Sequence, residues 1–96
     1  MSTLLEEDKI STWMKKVPDW EISDDTKEIY RPVEFNEYME GVDFVNDVAE
    51  IAEDCGHHPD LELGWCKLTI RISTHSLGGL TENDFELAEK IDNLLD

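Results

Sequence analysis

The first part of the chain has apolar residues at the spacing of one helix face. These residues are Ile10, Trp13, Met14 and Val17. Thr3 and Glu6 are spaced like the N-cap and the carboxylate of a capping box, so the pattern predicts a helix over about 4–16. Pro18 disfavours helical backbone in the residue before it, which predicts where this helix ends.

From Trp20 onward apolar and polar positions alternate, which is the period of a strand. The alternating residues are Trp20, Ile22, Ile29, Val33 and Phe35. Turn-forming residues fill SDDTK at 23–27, so we predict a hairpin with strands at about 19–23 and 28–34. Pro32 has no backbone N–H to donate, so its strand is expected to lie at a sheet edge or to be bulged there.

A second helical pattern follows, over about 37–54. Asn36 is a good N-cap for it, and Gly56 suits its C-terminal cap because glycine readily adopts the left-handed conformation. After Pro59 the alternation returns, in Leu61, Leu63, Trp65, Leu68, Ile70 and Ile72. Good turn residues are missing at Trp65-Cys-Lys, so the segment 60–74 fits either two strands or one long bulged strand.

The end of the chain is predicted to hold a loop, SLGGL at 76–80, and a last helix over about 82–95 capped by Thr81. The elements then follow the order α-β-β-α-β-β-α, which predicts a single α+β domain over 1–96. One apolar and one polar strand face indicate an antiparallel sheet of about four strands, with the three helices packed on one face.

Acidic residues dominate the composition, with 24 Asp and Glu against 8 Lys and Arg and a net charge of −16. Such a surface repels phosphate, so we expect neither direct nucleic-acid binding nor attachment to anionic membranes. It fits either a strongly hydrated surface or adaptation to high salt, which screens self-repulsion. We find no secretory signal or membrane-spanning run, and two cysteines without such a signal are more often free thiols, so we expect a cytoplasmic protein.

All three histidines lie at predicted loops next to regular elements: His57 and His58 after the second helix, and His75 at the end of the last strand. Imidazole suits proton transfer near neutral pH, and loops on a rigid frame often hold functional groups. A capping or turn role is the alternative, as it is for Asp84, which is three residues after Thr81. We predict no metal site, because adjacent histidines chelate one ion poorly and no HxH or HxxxH spacing occurs.

These residues resemble the signature of the pterin-4a-carbinolamine dehydratases. The strings GHHP, KLTIRISTH and GGLTENDF are similar to those of the family, and the resemblance covers roughly 20–96. The spaced positions that match are Glu53, His57, His58, Pro59, Trp65, His75 and Asp84. The resemblance implies an antiparallel sheet with helices on one side, and an enzyme that removes water from the 4a-hydroxytetrahydropterin left by aromatic amino-acid hydroxylases, in tetrahydropterin recycling.

The resemblance also implies roles for individual residues, and it implies no cofactor, since the pterin is the substrate. His57 and His75 are expected to be the general acid and base, with His58 mainly positioning the pterin. Ser73 and Thr74 match positions that line the pterin pocket. The two carboxylates, Asp84 and Glu53, are expected to orient histidines, and Trp65 is either a pocket wall or a core residue.

Other members of this fold stabilise a transcription-factor dimer or help to assemble a carbon-fixing enzyme, so a non-enzymatic interaction protein is the alternative. A dehydratase for another pterin is the third possibility. The assembly relatives tend to lose the histidines, and all three are present here, which favours the enzyme. The resemblance further implies a homodimer or homotetramer that joins edge strands, which agrees with the need of a small sheet to cover its edges.

Overall fold

An antiparallel sheet of four strands and three helices make up this computed structural model, which describes residues 3–95. The elements are α1 (Glu7–Met14), β1 (Glu21–Ile22), β2 (Ile29–Glu34), α2 (Tyr38–Cys55), β3 (Asp60–Gly64), β4 (Lys67–Ile72), a 3-10 turn (His75–Leu77) and α3 (Glu82–Leu95). The strands lie in the order β1-β2-β4-β3. This confirms the predicted α+β class and the order α-β-β-α-β-β-α.

The register of the strands collects the apolar side chains on the face that the helices cover. Ile29 pairs with Ile72 and Val33 with Leu68 across β2 and β4, and all four side chains are buried. Fully burying one such side chain is worth about 1.5–3 kcal/mol. The helices complete the core with Phe44 and Val48 of α2 and with Phe85, Leu87 and Ile91 of α3. Trp13 of α1 stacks on Phe85, with ring centroids 5.7 Å apart.

The segment 60–74 forms two strands joined by a tight turn at Trp65 and Cys66. Cys66 has φ 58°, a left-handed conformation that a side chain rarely adopts. Because cysteine is not a typical turn residue, the sequence pattern left this hairpin undecided. A residue outside the hairpin stabilises this turn: the N–H of Phe35 donates to the carbonyl of Cys66 at 2.9 Å.

Two predicted helix caps are wrong, for the same physical reason. The first helix begins at Glu7 rather than near Thr3, because the N–H of Leu5 donates to the carbonyl of Leu80 at 2.9 Å and its side chain packs on the core. The second helix begins at Tyr38 with Glu37 and Glu40 as its capping box. Asn36 is still held at the hairpin turn, where its carbonyl contacts the Cys66 thiol.

Within residues 3–95, Pro32 lies in β2, an inner strand of the sheet, at a point where one side of that strand is unpaired. The strand β1 pairs with β2 only at Ile29 and Tyr30, whereas β4 pairs with β2 along its whole length. Among the described residues, the part of β2 after Tyr30, which includes Pro32, therefore has no partner strand on its β1 side. The strand is thus not an edge strand as predicted, but Pro32 occupies a position on it where no N–H is needed on the open side.

The ends of four elements meet at one end of the sheet. Asp60 at the start of β3 pairs with Arg71 near the end of β4, so the segments 57–59 and 73–75 are neighbours. The first turn of α3 lies at the same end. Gly56 ends α2 with φ 66°, as predicted, and the next N–H, that of His57, donates to the carbonyl of Ala52 at 3.2 Å. The chain thereby leaves the helix in a fixed direction, directly into the two adjacent histidines.

We predict that Gly56→Ala lowers the free energy of unfolding by about 1 kcal/mol, because a Cβ is strained at this positive φ although no atom lies within 4 Å of it. Gly56→Asn is expected to cost less, since asparagine tolerates the left-handed region. Gly64→Ala is the matched control: its Cβ meets only the Lys67 carbonyl at 3.8 Å and its φ is not positive. Equal losses for the two alanine variants in urea denaturation would contradict the assigned cap.

Candidate active site

His57 and Asp84 form a buried pair where α2 ends and α3 begins. The Nε2 atom of His57 lies 2.5 Å from Oδ1 of Asp84. The histidine side chain is 18% exposed and the carboxylate 0% exposed. A buried carboxylate is tolerated only when hydrogen bonds replace its lost water, so this contact fixes the imidazole ring firmly.

The second oxygen of Asp84 is bound by groups from two elements. Its Oδ2 accepts the backbone N–H of Thr81 at 2.8 Å and the hydroxyl of Thr74 at 2.8 Å. The first contact is the capping interaction expected from the sequence, and it closes the first turn of α3. Asp84 therefore serves both as a helix-capping group and as the partner of a histidine, two roles that the sequence pattern presented as alternatives.

His58 forms a similar pair in a different environment. Its Nε2 lies 2.5 Å from Oε2 of Glu53, in the last turn of α2. Here the histidine is 60% exposed and the glutamate 75% exposed. Water competes for both groups, so the pair orients the ring much more weakly than Asp84 orients His57.

His75 is exposed and lies between two polar neighbours. Its Nε2 is 3.3 Å from Oδ2 of Asp60, and its Nδ1 is 3.3 Å from the hydroxyl of Ser73. Asp60 follows the histidine pair in sequence, so its contact with His75 links the loop after α2 to the end of β4. The three histidines, Ser73, Thr74, Glu53 and Asp84 thus all lie at this one end of the sheet.

Trp65 lies elsewhere, in the turn at the opposite end of the β3–β4 hairpin. The five residues of β3 separate it from the histidines by about 16 Å along the strand. Its side chain is 82% exposed, so the reading of Trp65 as a core residue is wrong. Tyr38 and Met39, near the start of α2, are also exposed.

Sequence reasoning missed Asp60 and assigned Thr81 only to a helix cap. The hydroxyl of Thr81 lies 2.9 Å from that of Thr74 and is buried with it. Only the pairing of β3 with β4 brings Asp60 to His75, so a signal for it appears once the register is known. A pattern of residue types along one segment does not contain that information.

A small cavity of about 140 Å³ borders His57 on the side of α3. Its lining includes Cys55 and Lys90, whose ammonium group donates to the cysteine sulfur at 3.3 Å. Across residues 3–95, no cluster of three or more His, Cys, Asp or Glu side chains has the geometry of a metal site. Within the same range, no helix is long and apolar enough to cross a membrane.

The family model and the similar proteins of known sequence agree on one family. Residues 3–94 match the family described as pterin 4 alpha carbinolamine dehydratase. A protein from Arabidopsis thaliana named pterin-4-alpha-carbinolamine dehydratase 2, mitochondrial, is 48% identical over 84% of this chain and 45% of its own length. A protein from Picosynechococcus, provisionally given the same family name, is 39% identical over 98% of this chain and 100% of its own.

Two solved structures have a similar fold. A protein from Brucella melitensis, described as a transcriptional coactivator/pterin dehydratase, superposes with a TM-score of 0.92 and 24% identity, over 98% of this chain and 100% of its own. A pterin dehydratase-like protein, identified as a RuBisCO assembly factor in the alpha-carboxysome, gives 0.67 and 22% over 79% of this chain and 88% of its own. At these identities the likeness concerns the fold alone.

The two histidine–carboxylate pairs should differ sharply in stability. We predict that Asp84→Ala lowers the free energy of unfolding by roughly 3 kcal/mol, because it leaves three buried donors without their acceptor. Glu53→Ala, which removes an exposed partner at the same distance, is expected to change it by no more than about 0.5 kcal/mol. Urea denaturation followed by circular dichroism measures both, and similar losses would show that the burial of Asp84 has no energetic weight.

Proposed function

Because the chain belongs to the pterin 4 alpha carbinolamine dehydratase family, we propose that it removes water from 4a-hydroxytetrahydropterin to give quinonoid dihydropterin. The observation that supports this most directly is a pair of imidazoles in unlike surroundings at one end of the sheet. His57 is held by a buried carboxylate, and His75 is exposed between Ser73 and Asp60. Two titratable groups in different environments are suited to opposite protonation states.

The reaction needs two proton transfers. The C4a–O bond breaks, and the leaving oxygen takes a proton from a general acid so that it departs as water. The proton on N5 passes to a general base, and its electron pair forms the new double bond to C4a. Electrons and atoms balance without an oxidant or a metal. Each well-positioned transfer is worth about 10²–10⁴-fold in rate.

We assign the general base to His57 and the general acid to His75. A carboxylate beside an imidazole stabilises the imidazolium that forms when the ring accepts a proton, and Asp84 is placed to do this for His57. His75 is open to solvent and can recover its proton from water after each turnover. His58, on its exposed glutamate, is assigned to positioning the pterin, and Ser73 to the pocket wall beside His75.

The wider setting follows from this chemistry. Tetrahydropterin recycling after aromatic amino-acid hydroxylation would supply the substrate, and the quinonoid product would pass to a reductase. A cytoplasmic location stays a prediction, and the name of the plant relative places that protein in mitochondria. A non-enzymatic assembly role is the alternative, because a protein of similar fold is described as an assembly factor.

We also propose that the chain forms a homodimer or homotetramer through β3. Among the described residues, β3 pairs on one side only. If two copies pair antiparallel about Glu62, Leu61 of each lies opposite Leu63 of the other, and the apolar face of the sheet continues across the seam. The two Glu62 side chains then face each other, but each accepts a hydrogen bond from its own Arg71 at 2.6 Å, which offsets their repulsion.

This pairing gives Trp65 a place in the site. Residues equally distant from Glu62 on either side face each other, so Trp65 of one copy lies opposite Pro59 of the second. Its ring would then cover the histidines of the other copy rather than those of its own. The proposed pocket-wall role of Trp65 is thereby kept, although about 16 Å of strand separates it from the histidines of its own chain.

The first activity test is the loss of 4a-hydroxytetrahydropterin in a stopped-flow, at low and at high salt. The wild type is expected to accelerate dehydration, and His75→Ala to lower kcat/KM by about 10²–10⁴-fold, because the acid that protonates the leaving oxygen is removed. Ser76→Ala, an exposed neighbour in the same turn, is the matched control and should stay within about twofold of the wild type. A folded wild type without acceleration at either salt would refute the dehydratase and favour the assembly role.

The oligomer test uses complementation. Trp65→Ser and His75→Ala are each expected to be nearly inactive, and mixing them should restore activity, because one site in each mixed dimer then has both His75 and the Trp65 of the other chain. Light scattering at moderate salt should give at least a dimer, and low salt should favour dissociation since the charge of −16 is then unscreened. A monomer at moderate salt, or no recovery on mixing under conditions where subunits exchange, would contradict the proposal.

A further inference from the structure

Thr81 lies beside the site, is 1% exposed, and has a hydroxyl that capping α3 does not require. Its backbone N–H makes the short capping contact with Asp84 at 2.8 Å, whereas its hydroxyl is 3.4 Å from the same carboxylate oxygen. We propose that Thr81 is a positioning residue whose hydroxyl acts through Thr74 and Asp84 to hold His57 with its proton on Nε2. The proposal rests on the proposed function for its effect on rate, but its effect on the imidazole does not depend on any activity.

The directions of the hydrogen bonds follow from what each group can donate. The hydroxyl of Thr74 has one proton and two oxygen neighbours, Asp84 Oδ2 at 2.8 Å and Thr81 Oγ1 at 2.9 Å. A carboxylate only accepts, so Thr74 donates to Asp84 and accepts from Thr81. The other acceptor near the Thr81 hydroxyl is Asp84 Oδ2, which is farther away, at 3.4 Å. The two hydroxyls thus form a chain that runs in one direction, from Thr81 through Thr74 to the carboxylate.

This chain decides which atom of His57 holds the proton. Oδ2 of Asp84 receives two donors, the Thr81 amide and the Thr74 hydroxyl, so Oδ1 is left to His57. The carboxylate is 0% exposed, so only Nε2–H of the ring can satisfy Oδ1. A neutral His57 therefore has its lone pair on Nδ1, and Nδ1 is the atom that can take the N5 proton of a pterin.

The same contacts change the expected role of Thr74. Its hydroxyl faces Asp84 and Thr81 and the residue is 9% exposed, so it acts through Asp84 rather than on the pterin. Without the Thr81 hydroxyl, Thr74 still donates to Asp84, but its oxygen loses the incoming hydrogen bond that polarises it, so its own bond to Oδ2 weakens. Asp84 is then held less tightly, its Oδ1 contact with Nε2 loosens, and the Nδ1–H tautomer of His57 becomes populated as well.

Thr81→Val tests the proposal because it removes only the hydroxyl and keeps the β-branched shape and the capping N–H. Thr81→Ser is the matched control, since it keeps the hydroxyl. The direct measurement is a nitrogen–proton correlation spectrum of the imidazole rings at a pH where they are neutral, with the His57 signals assigned from His57→Gln. We expect the Nε2–H pattern in the wild type and in Thr81→Ser, and a mixture of both tautomers in Thr81→Val.

The kinetic readout is a fall of about tenfold in kcat for Thr81→Val, with KM within about twofold and with recovery in Thr81→Ser. The Nδ1–H pattern in the wild type would overturn the proposal. So would an unchanged spectrum in Thr81→Val, even if its melting temperature fell, because Thr81 would then be a helix cap only. Should Thr81→Val not fold, Thr74→Val tests the next link of the chain in the same way. If the protein proved not to be a dehydratase, the imidazole spectra would be unaffected. Failure of the proposed function and failure of the proposed role of Thr81 are therefore distinguishable.

Discussion

The buried carboxylate of Asp84 joins three parts of the chain that are distant in sequence. It binds the loop after α2 through His57, the end of β4 through Thr74, and the first turn of α3 through the Thr81 amide. A charge removed from water is costly unless every lone pair finds a donor, and removing one partner leaves the remaining groups uncompensated. The arrangement of these three segments is therefore specified together, and the imidazole of His57 has one orientation because its carboxylate has one.

The two histidine–carboxylate pairs show why distance alone does not assign a role. Both have a nitrogen–oxygen separation of 2.5 Å. One is shielded by the core and anchored at its second oxygen, whereas the other is surrounded by water, where side-chain entropy and screening remove most of its energy. The proposed base and the proposed positioning group are thus built from similar residue types, and the difference lies in the neighbours of each carboxylate.

Periodicity predicted the three helices and the first hairpin, because the apolar stripe and the buried strand face are written in consecutive residues, but it left the division of 60–74 into β3 and β4 open. The predicted N-caps of α1 and α2 were wrong because a tertiary hydrogen bond holds the chain extended before each helix. The N–H of Leu5 donates to the carbonyl of Leu80 before α1, and the N–H of Phe35 donates to that of Cys66 before α2. The spacing of the histidines indicated the site through a family resemblance. The contacts of Asp60 and Thr81 within it depend on strand register and on the packing of α3, which no local pattern encodes.

The excess of acidic residues acts unevenly on this site. Hydrogen bonds to Glu62 and Glu28 raise the pKa of Arg71, and Arg31 is bound by Asp92 and Asp19, so the arginines of the sheet are already paired with carboxylates. Water and salt reach His58 and His75, so the field of the remaining carboxylates at these two histidines is screened and depends on salt concentration. His57 is held by a buried carboxylate whose hydrogen bonds are all supplied by the protein, so added salt screens it least. The proposed general base is thus expected to depend little on salt concentration, while the proposed general acid depends on it more.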